Sequence, residues 1–538
     1  MTEIWPHVWL GILAVFQGDH LISLGGFGIS MTLAMVTAGF LVGIAVGATP
    51  GLAGPMAMAV SLPILISAFG FNSDALLPVM GFLIGVMKGA TVGGAVPAIL
   101  FNTPGTPDSY MTALDGYPLT RKGQAGKALR VAHLSSATGD TFSDVVLVLG
   151  APFLAVGVER FLDLPEKTAL LLLSLSFIAA AIGKSAGRGL IATALGLLAA
   201  YIGTGLDFYP RLTLGVEELS GGFSQASTIL GVLILGEVFC RFEDMWHSRR
   251  RPAPPPVRQR LDARLTAQER RRILPHVVRS ALIGTGIGAL PALGSTLAAL
   301  LGYRAAKVRH ARRQHDGPAF GEGAIEGVAA TEAANSSVVG ANMIPVLSLG
   351  IPGNVAAVFL ILAAETIEGF TPGPSAFRVN PGQINPELIV VFGLFTMMFV
   401  ANGLNWLIGG RFMRSLAVLS RVPQRIVMPS VLLMTLTGIY VQEMRFSAMV
   451  VVVGFGFLGW GMRRVGISPL PFVVAFILAP RLEDTARQAF SATGGDAFFL
   501  FASPVAFALT VTAIVVPMVV YLRRRAARLS AAHAPDLS

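Results

Sequence analysis

A proline-glycine pattern occurs twice in this chain, about 248 residues apart, inside segments apolar enough to lie in a bilayer. The first copy runs from Pro97 through Phe101-Asn102-Thr103 to Pro104-Gly105. The second runs from Pro345 through Leu349-Gly350-Ile351 to Pro352-Gly353, with six residues between the prolines in each. A matching pair lies upstream, Gly47-Ala48-Thr49-Pro50-Gly51-Leu52 and Gly288-Ala289-Leu290-Pro291-Ala292-Leu293. The chain therefore reads as an internal duplication. Proline removes a helix donor and glycine frees the backbone, so each site predicts a helix break at membrane depth. Unpaired backbone is tolerated there only when it is buried in protein or lines a water-filled cavity. Paired breaks in two halves of a membrane protein point to a transport site.

Composition agrees with a membrane setting. Of 538 residues, 53% are hydrophobic and 13% charged, against about 25% charged in an ordinary soluble domain. Apolar stretches long enough to span a bilayer recur between residues 25 and 522. The expected fold class is an all-α polytopic membrane protein with about 12 membrane elements in two repeats, carrying Pro-Gly-broken or re-entrant helices. No cleavable signal is expected, because the first Lys or Arg is Lys88 and the N-terminus carries Glu3 and Asp19. Cys240 is the single cysteine, which excludes an intramolecular disulfide and a thiolate metal cluster.

The net charge of +10 does not point to nucleic acid, because the basic residues sit in short blocks between apolar stretches. That is the pattern of cytoplasmic loops. The blocks are Arg121 to Arg130, Arg241 to Arg272, Arg304 to Arg313, Arg411 to Arg425, Arg463 with Arg464, and Arg523 to Arg528, and the C-terminus is placed with them on the cytoplasmic side. Three regions follow: a first membrane half over 1–240, an extended Arg- and Pro-rich linker over 241–272, and a second membrane half over 273–538. Thr266-Ala267-Gln268-Glu269 at the linker's end fits a capping box that starts the next helix. In the first half residues 65–78, between the two breaks, carry Asp74 and no base. In the second half Arg304 to Arg313 lies between the breaks, and Glu365 and Glu368 follow. The two repeats are therefore expected to face opposite sides of the membrane.

Six motifs in register carry a family resemblance: Gly47-Ala-Thr-Pro-Gly-Leu52, Phe101-Asn-Thr-Pro-Gly-Thr-Pro107, Leu114-Asp-Gly-Tyr-Pro118, Phe320-Gly-Glu-Gly-Ala-Ile-Glu-Gly327, Thr331-Glu-Ala-Ala-Asn335 and Leu349-Gly-Ile-Pro-Gly353. The chain resembles TctA, the large membrane subunit of tripartite tricarboxylate transporters. The resemblance implies a bacterial inner-membrane secondary transporter in which an ion gradient drives uptake of a carboxylate. It implies two protein partners, a small TctB-like membrane subunit and a periplasmic TctC-like binding protein. Departures are Ala292 in place of a Pro-Gly glycine, Thr331 before Glu332 in place of proline, Ser336 in place of a second asparagine, and Lys88 in place of an uncharged aromatic.

The chemistry of a substrate site can be argued from the residues themselves. A carboxylate needs donors, and a broken helix offers free N–H groups at its positive dipole end. Candidate substrate-binding residues are Pro50, Gly51, Asn102, Thr103, Pro104, Gly105, Thr106, Pro291, Ser295, Thr296, Pro352, Gly353 and Asn354. The competing reading is that these pairs only kink helices for packing. For a coupling cation the candidates are Glu332, Asn335 and Ser336, since a carboxylate at membrane depth marks function and a spacing of three shares a helix face. Glu332 alternatively accepts N–H groups at a helix start. No resident cofactor or metal is expected, the coupling ion being sodium or a proton. Lys88 attracts substrate carboxylate, snorkels, or pairs with an acid such as Asp74. Asp115-Gly116-Tyr117-Pro118 reads as a turn, with Asp108 and Asp115 near the cytoplasmic surface. No HExxH or Walker sequence occurs, so the chain is not read as an enzyme. The alternatives are a passive channel and an intramembrane hydrolase built on Ser336 and Ser337.

Overall fold

The structure, a computed structural model, describes residues 4–18, 20–24, 27–103, 109–182, 185–204, 209–247, 264–291, 293–311, 317–415 and 424–532. In chain order the first helices are α1 (Trp5–Phe16), α2 (Met31–Gly47), α3 (Gly54–Phe69), α4 (Ser73–Phe101), α5 (Tyr110–Arg121) and α6 (Ala125–Phe161). Then follow α7 (Leu164–Ala181), α8 (Ala186–Tyr201), α9 (Gln225–Leu230), α10 (Gly236–His247), α11 (Ala267–Gly288), α12 (Gly294–Ala311), α13 (Ile325–Ala341) and α14 (Met343–Leu349). The remainder are α15 (Val355–Thr366), α16 (Pro386–Leu404), α17 (Gly410–Ser415), α18 (Gln424–Glu443), α19 (Phe446–Arg464), α20 (Leu470–Ala492) and α21 (Pro504–Ala532). Two short antiparallel hairpins join β1 (His20–Leu24) to β2 (Phe27–Ser30) and β3 (Gly203–Thr204) to β4 (Pro210–Arg211). Among the described residues eight helices are long and apolar enough to cross a membrane. The chain is an all-α polytopic membrane protein.

Contacts divide it into two compact units, one of Met1–Val156 with His247–Met434 and one of Gly157–Trp246 with Thr435–Ser538. The division expected at 241–272 is one of sequence, and each sequence half contributes to both units. The linker's flanks are helical, in α10 and α11, where an extended chain was expected. Residues 248–263 lie outside the described residues. The capping box forms as predicted: Thr266 N–H donates to Glu269 Oε2 at 2.8 Å, and Glu269 N–H donates to Thr266 Oγ1 at 3.2 Å. Partial burial pushes the Glu269 carboxyl upward, but hydrogen bonds from Lys127 and Thr266 outweigh it and hold the group below its usual range.

In the first unit the duplication is visible as geometry. Helix α2 packs along α4, and α11 packs along α13. The seam between α2 and α4 is made of small residues at spacing four, Gly39, Gly43 and Gly47 facing Gly85, Gly89 and Gly93. A Cβ on Gly43 would lie 2.9 Å from Ala90 N, and one on Gly89 2.8 Å from Ile44 N, so the backbones touch. Close approach of this kind is how helices associate where lipid removes the hydrophobic driving force. The breaks terminate matching helices. Asn102 after α4 and Gly350 after α14 both adopt the left-handed conformation, at φ 52° and 70°. The next residues, Thr103 and Ile351, donate their N–H to Pro97 and Pro345 O at 3.2 Å in both cases. This is the closing bond of a Schellman C-cap.

The matching turns of the two repeats lie at opposite ends of α4, a helix of 29 residues and so about 43 Å long. At its Ser73 end, Glu368 N–H donates to Phe71 O at 2.9 Å, which joins the two base-free segments. At its Phe101 end, Thr120 Oγ1 donates to Ile99 O at 2.8 Å and Lys122 Nζ donates to Glu322 O at 2.6 Å. The turn from α3 to α4 thus sits at one end, and the α12 to α13 connection at the other. Lys127 with Glu269 at 2.8 Å and Arg272 with Glu326 at 2.5 Å gather two basic blocks at that second end.

Asp115 to Pro118 are helical, within α5, where the sequence suggested a turn. Packing overrides the turn preference: Asp115 is drawn to the start of α13, and Gly116 seats against Ile99, which would lie 2.7 Å from a Cβ there. Asp108 lies outside the described residues.

The second unit packs α7, α8, α20 and α21 together. Ser503 Oγ donates to Glu166, and Arg211 pairs with Glu483 at 2.8 Å while lying 4.5 Å from the Tyr201 ring centre.

Candidate substrate and ion site

The two breaks of the second repeat converge. A Cβ on Gly353 would lie 3.6 Å from Pro291 Cα and 2.9 Å from Asn342 Oδ1. Pro352 and Gly353 are buried. Asn342, at the junction of α13 and α14, is 2% exposed, and neither its Oδ1 nor its Nδ2 has a hydrogen-bond partner among the described residues. A buried amide without partners costs roughly 1 to 3 kcal/mol. Such a group facing a break is what a ligand would satisfy.

The helix ends at the breaks are equipped unequally. Asn354 caps α15 itself, accepting Ala357 N–H at 2.8 Å, so its Oδ1 is engaged by its own helix. Ser295 and the exposed Thr296 occupy the first turn of α12. In the first repeat Gly51 is left-handed at φ 86° and buried, next to Pro50, and Asn102 and Thr103 are exposed. Pro104, Gly105 and Thr106 lie outside the described residues. Helix α15, which follows the break at Gly353, packs on α3, which follows the break at Gly51, and on α4.

The face of α13 chosen for a cation is buried and engaged on two sides. Glu332 is 1% exposed and Asn335 5%. Thr112 Oγ1 on α5 donates to Glu332 Oε1, and Ser136 Oγ on α6 lies 2.6 Å from Ser336 Oγ. Glu332 stands in the second turn of α13 and does not cap it. That task falls to Asp115, whose Oδ1 accepts N–H from Gly321, Gly323 and Ala324 at 2.9, 3.0 and 2.8 Å. Ser337 Oγ donates to Ala333 O at 2.5 Å, a local back-bond.

Lys88 pairs with acids, but with Asp140 and Asp144 of α6 and not with Asp74. Asp140, Asp144, Asn342 and Asn402 were not singled out from the sequence. The two aspartates carried a signal, being one turn apart inside an apolar run. Asn342 carried none, because its place depends on where α13 meets the chain after Leu349.

Residues 33–474 match the family described as the tripartite tricarboxylate transporter TctA family. The chain belongs to that family. This TctA-family chain is 31% identical over 476 residues, 88% of its own length and 89% of the relative's, to an Agrobacterium vitis protein described as an uncharacterized 52.8 kDa protein in the TAR-I ttuC' 3'region. It is also 31% identical over 228 residues, 42% of its length and 88% of the relative's, to an uncharacterized protein in the TAR-II ttuC' 3'region of the same organism. No solved structure matches it. The chain is therefore a multi-pass membrane protein of a transporter family.

Proposed function

We propose that this TctA-family chain is the large membrane subunit of a carboxylate importer that depends on a periplasmic binding protein and is driven by an ion gradient. The observation that carries the reading is the meeting of Pro291 and Gly353 over the partnerless amide of Asn342. A carboxylate placed there accepts hydrogen bonds from the first N–H groups of α15, aided by the helix dipole. Gly353 has no side chain, and a Cβ there would already press on Asn342 Oδ1. The small TctB-like subunit and the TctC-like binding protein are its proposed partners, in the bacterial inner membrane, with the C-terminus cytoplasmic. Glu332, Asn335 and Ser336 form the proposed seat of a sodium ion or proton. The serines at 336 and 337 have partners that suit packing, which argues against an intramembrane hydrolase.

The test is uptake by the reconstituted three-component complex. The substrate is chosen by thermal-shift screening of di-, tricarboxylates and aromatic acids against the binding protein. Gly353→Leu and Asn342→Ala are expected to abolish uptake with membrane insertion intact. Parental uptake by both would return the breaks to a packing role.

A further inference from the structure

Four polar side chains from three helices meet inside the first unit. Lys88 Nζ on α4 lies 2.6 Å from Asp140 Oδ1 and 2.5 Å from Asp144 Oδ2 on α6. Asn402 of α16 donates through Nδ2 to Asp144 Oδ2 at 2.7 Å, and its Oδ1 is 3.5 Å from Lys88 Nζ. The side chains of Lys88, Asp140 and Asp144 are 1%, 5% and 1% exposed. Asp144 Oδ1 has no hydrogen-bond partner among the described residues. It points at the bare Cα of Gly340 on α13, where a Cβ would collide with it.

One ammonium facing two carboxylates leaves one negative charge over. An uncompensated buried charge is costly, because no solvent repays the desolvation. Among the described residues the helices packed on this cluster bring no second cation to it. Helices α2 and α3 contain no ionisable residue. Glu387 of α16 and Glu365 of α15 lie in the first and last turns of their helices. Asp115 and Arg121 of α5 lie at the Phe101 end of α4. Glu332 is eight residues, about 12 Å, down α13 from Gly340. On α6 itself, His133 is seven residues, about 10 Å, from Asp140 and is bonded to Asn405 O at 3.0 Å. Arg411 and Arg414 of α17 stand nine and twelve residues past Asn402.

We propose that the Lys88, Asp140, Asp144 and Asn402 cluster is a proton-binding site, with the Asp144 carboxyl as carrier. A hydronium ion gives up a proton, leaving water, and that proton bonds to Asp144 Oδ1, so the carboxylate becomes a neutral acid. No other covalent bond changes, and the Lys88 to Asp140 pair remains. Release is the reverse. The site is level with both kinds of break. Gly340 is two residues, about 3 Å, before Asn342. Lys88 is two residues before Ala90, whose Cβ would lie 2.7 Å from a Cβ on Gly54, at the start of α3 just past the Gly51 break. Charging or neutralising Asp144 changes the grip between α4 and α6 beside both. A coupling role for this proton rests on the importer reading above; the binding of the proton does not.

The purified full chain and the proton itself are sufficient for the test, by pH-difference infrared spectroscopy of carboxyl groups. The wild type is expected to show a titrating buried-carboxyl band that is lost in Asp144→Asn. Lys88→Met, which leaves two carboxylates without a cation, is expected to gain one further protonated carboxyl at neutral pH. A wild-type titration that Asp144→Asn leaves unchanged, or a Lys88→Met spectrum identical to wild type, overturns the site. In vesicles holding the whole complex, dye-reported proton entry during uptake is expected to fall to background in Asp144→Asn. Undiminished entry overturns the coupling role while leaving the infrared result to stand by itself.

Discussion

Asn102 and Gly350 occupy the same structural position, five residues after Pro97 and Pro345, and both turn the backbone left-handed to end their helices. Only one is a glycine. Asparagine tolerates this conformation better than other side-chain-bearing residues, and glycine best of all. Asn102→Gly is expected to leave thermal stability unchanged or slightly raised, whereas Gly350→Ala should cost about 1 to 2 kcal/mol. Thermal unfolding of the purified variants decides it, and an Asn102→Gly variant that melts well below wild type would contradict the equivalence.

The opposite placement of the matching turns predicts topology. With Cys240→Ser as background, a cysteine at Ser73 should react with an impermeant reagent from the periplasm, and one at Ala311 only from the cytoplasm. Labelling of both from one side would sink the inverted arrangement.

Asp115 anchors the start of α13 through three N–H groups. Asp115→Ala is expected to cost about 1 to 3 kcal/mol, since buried donors are left without an acceptor. Asp115→Asn, which keeps one acceptor oxygen, should recover part of the loss. Equal destabilisation by the two variants would mean that charge, and not acceptance, matters at this point.

Glu332 separates an ion seat from a brace. If it holds the driving cation, Glu332→Gln loses accumulation against a gradient but keeps substrate exchange. A brace between α5 and α13 predicts lower yield and melting temperature, with uptake per folded molecule near parental. Vesicle uptake with and without an imposed sodium or proton gradient, normalised to folded protein, distinguishes the two.

What could be read in the sequence was what acts locally. Proline and glycine end helices by their own covalent chemistry, so the breaks after Phe101 and Leu349 and the capping box at Thr266 were legible. The partners of Lys88 were not, because nothing local says whether Asp74, fourteen residues away, or Asp140 and Asp144, over fifty away, lie beside it. Their spacing of four on one helix face was the available clue. The turn read at Asp115 failed for the same reason in reverse, since a distant helix start supplies the donors that make the helical form better. Asn342 is an ordinary asparagine until the chain folds Gly353 back against it.

The glycine seam between α2 and α4 has a thermal consequence. Glycine has no rotamers to surrender, so this contact forms without side-chain entropy loss. With nothing to loosen as rotamers become accessible on warming, α2 and α4 should behave as one rigid rod over a wide temperature range. Movement during a working cycle is then concentrated at the left-handed joints beside that rod, Gly51 after α2, Gly70 before α4 and Asn102 after α4, which sets the hinges by exclusion.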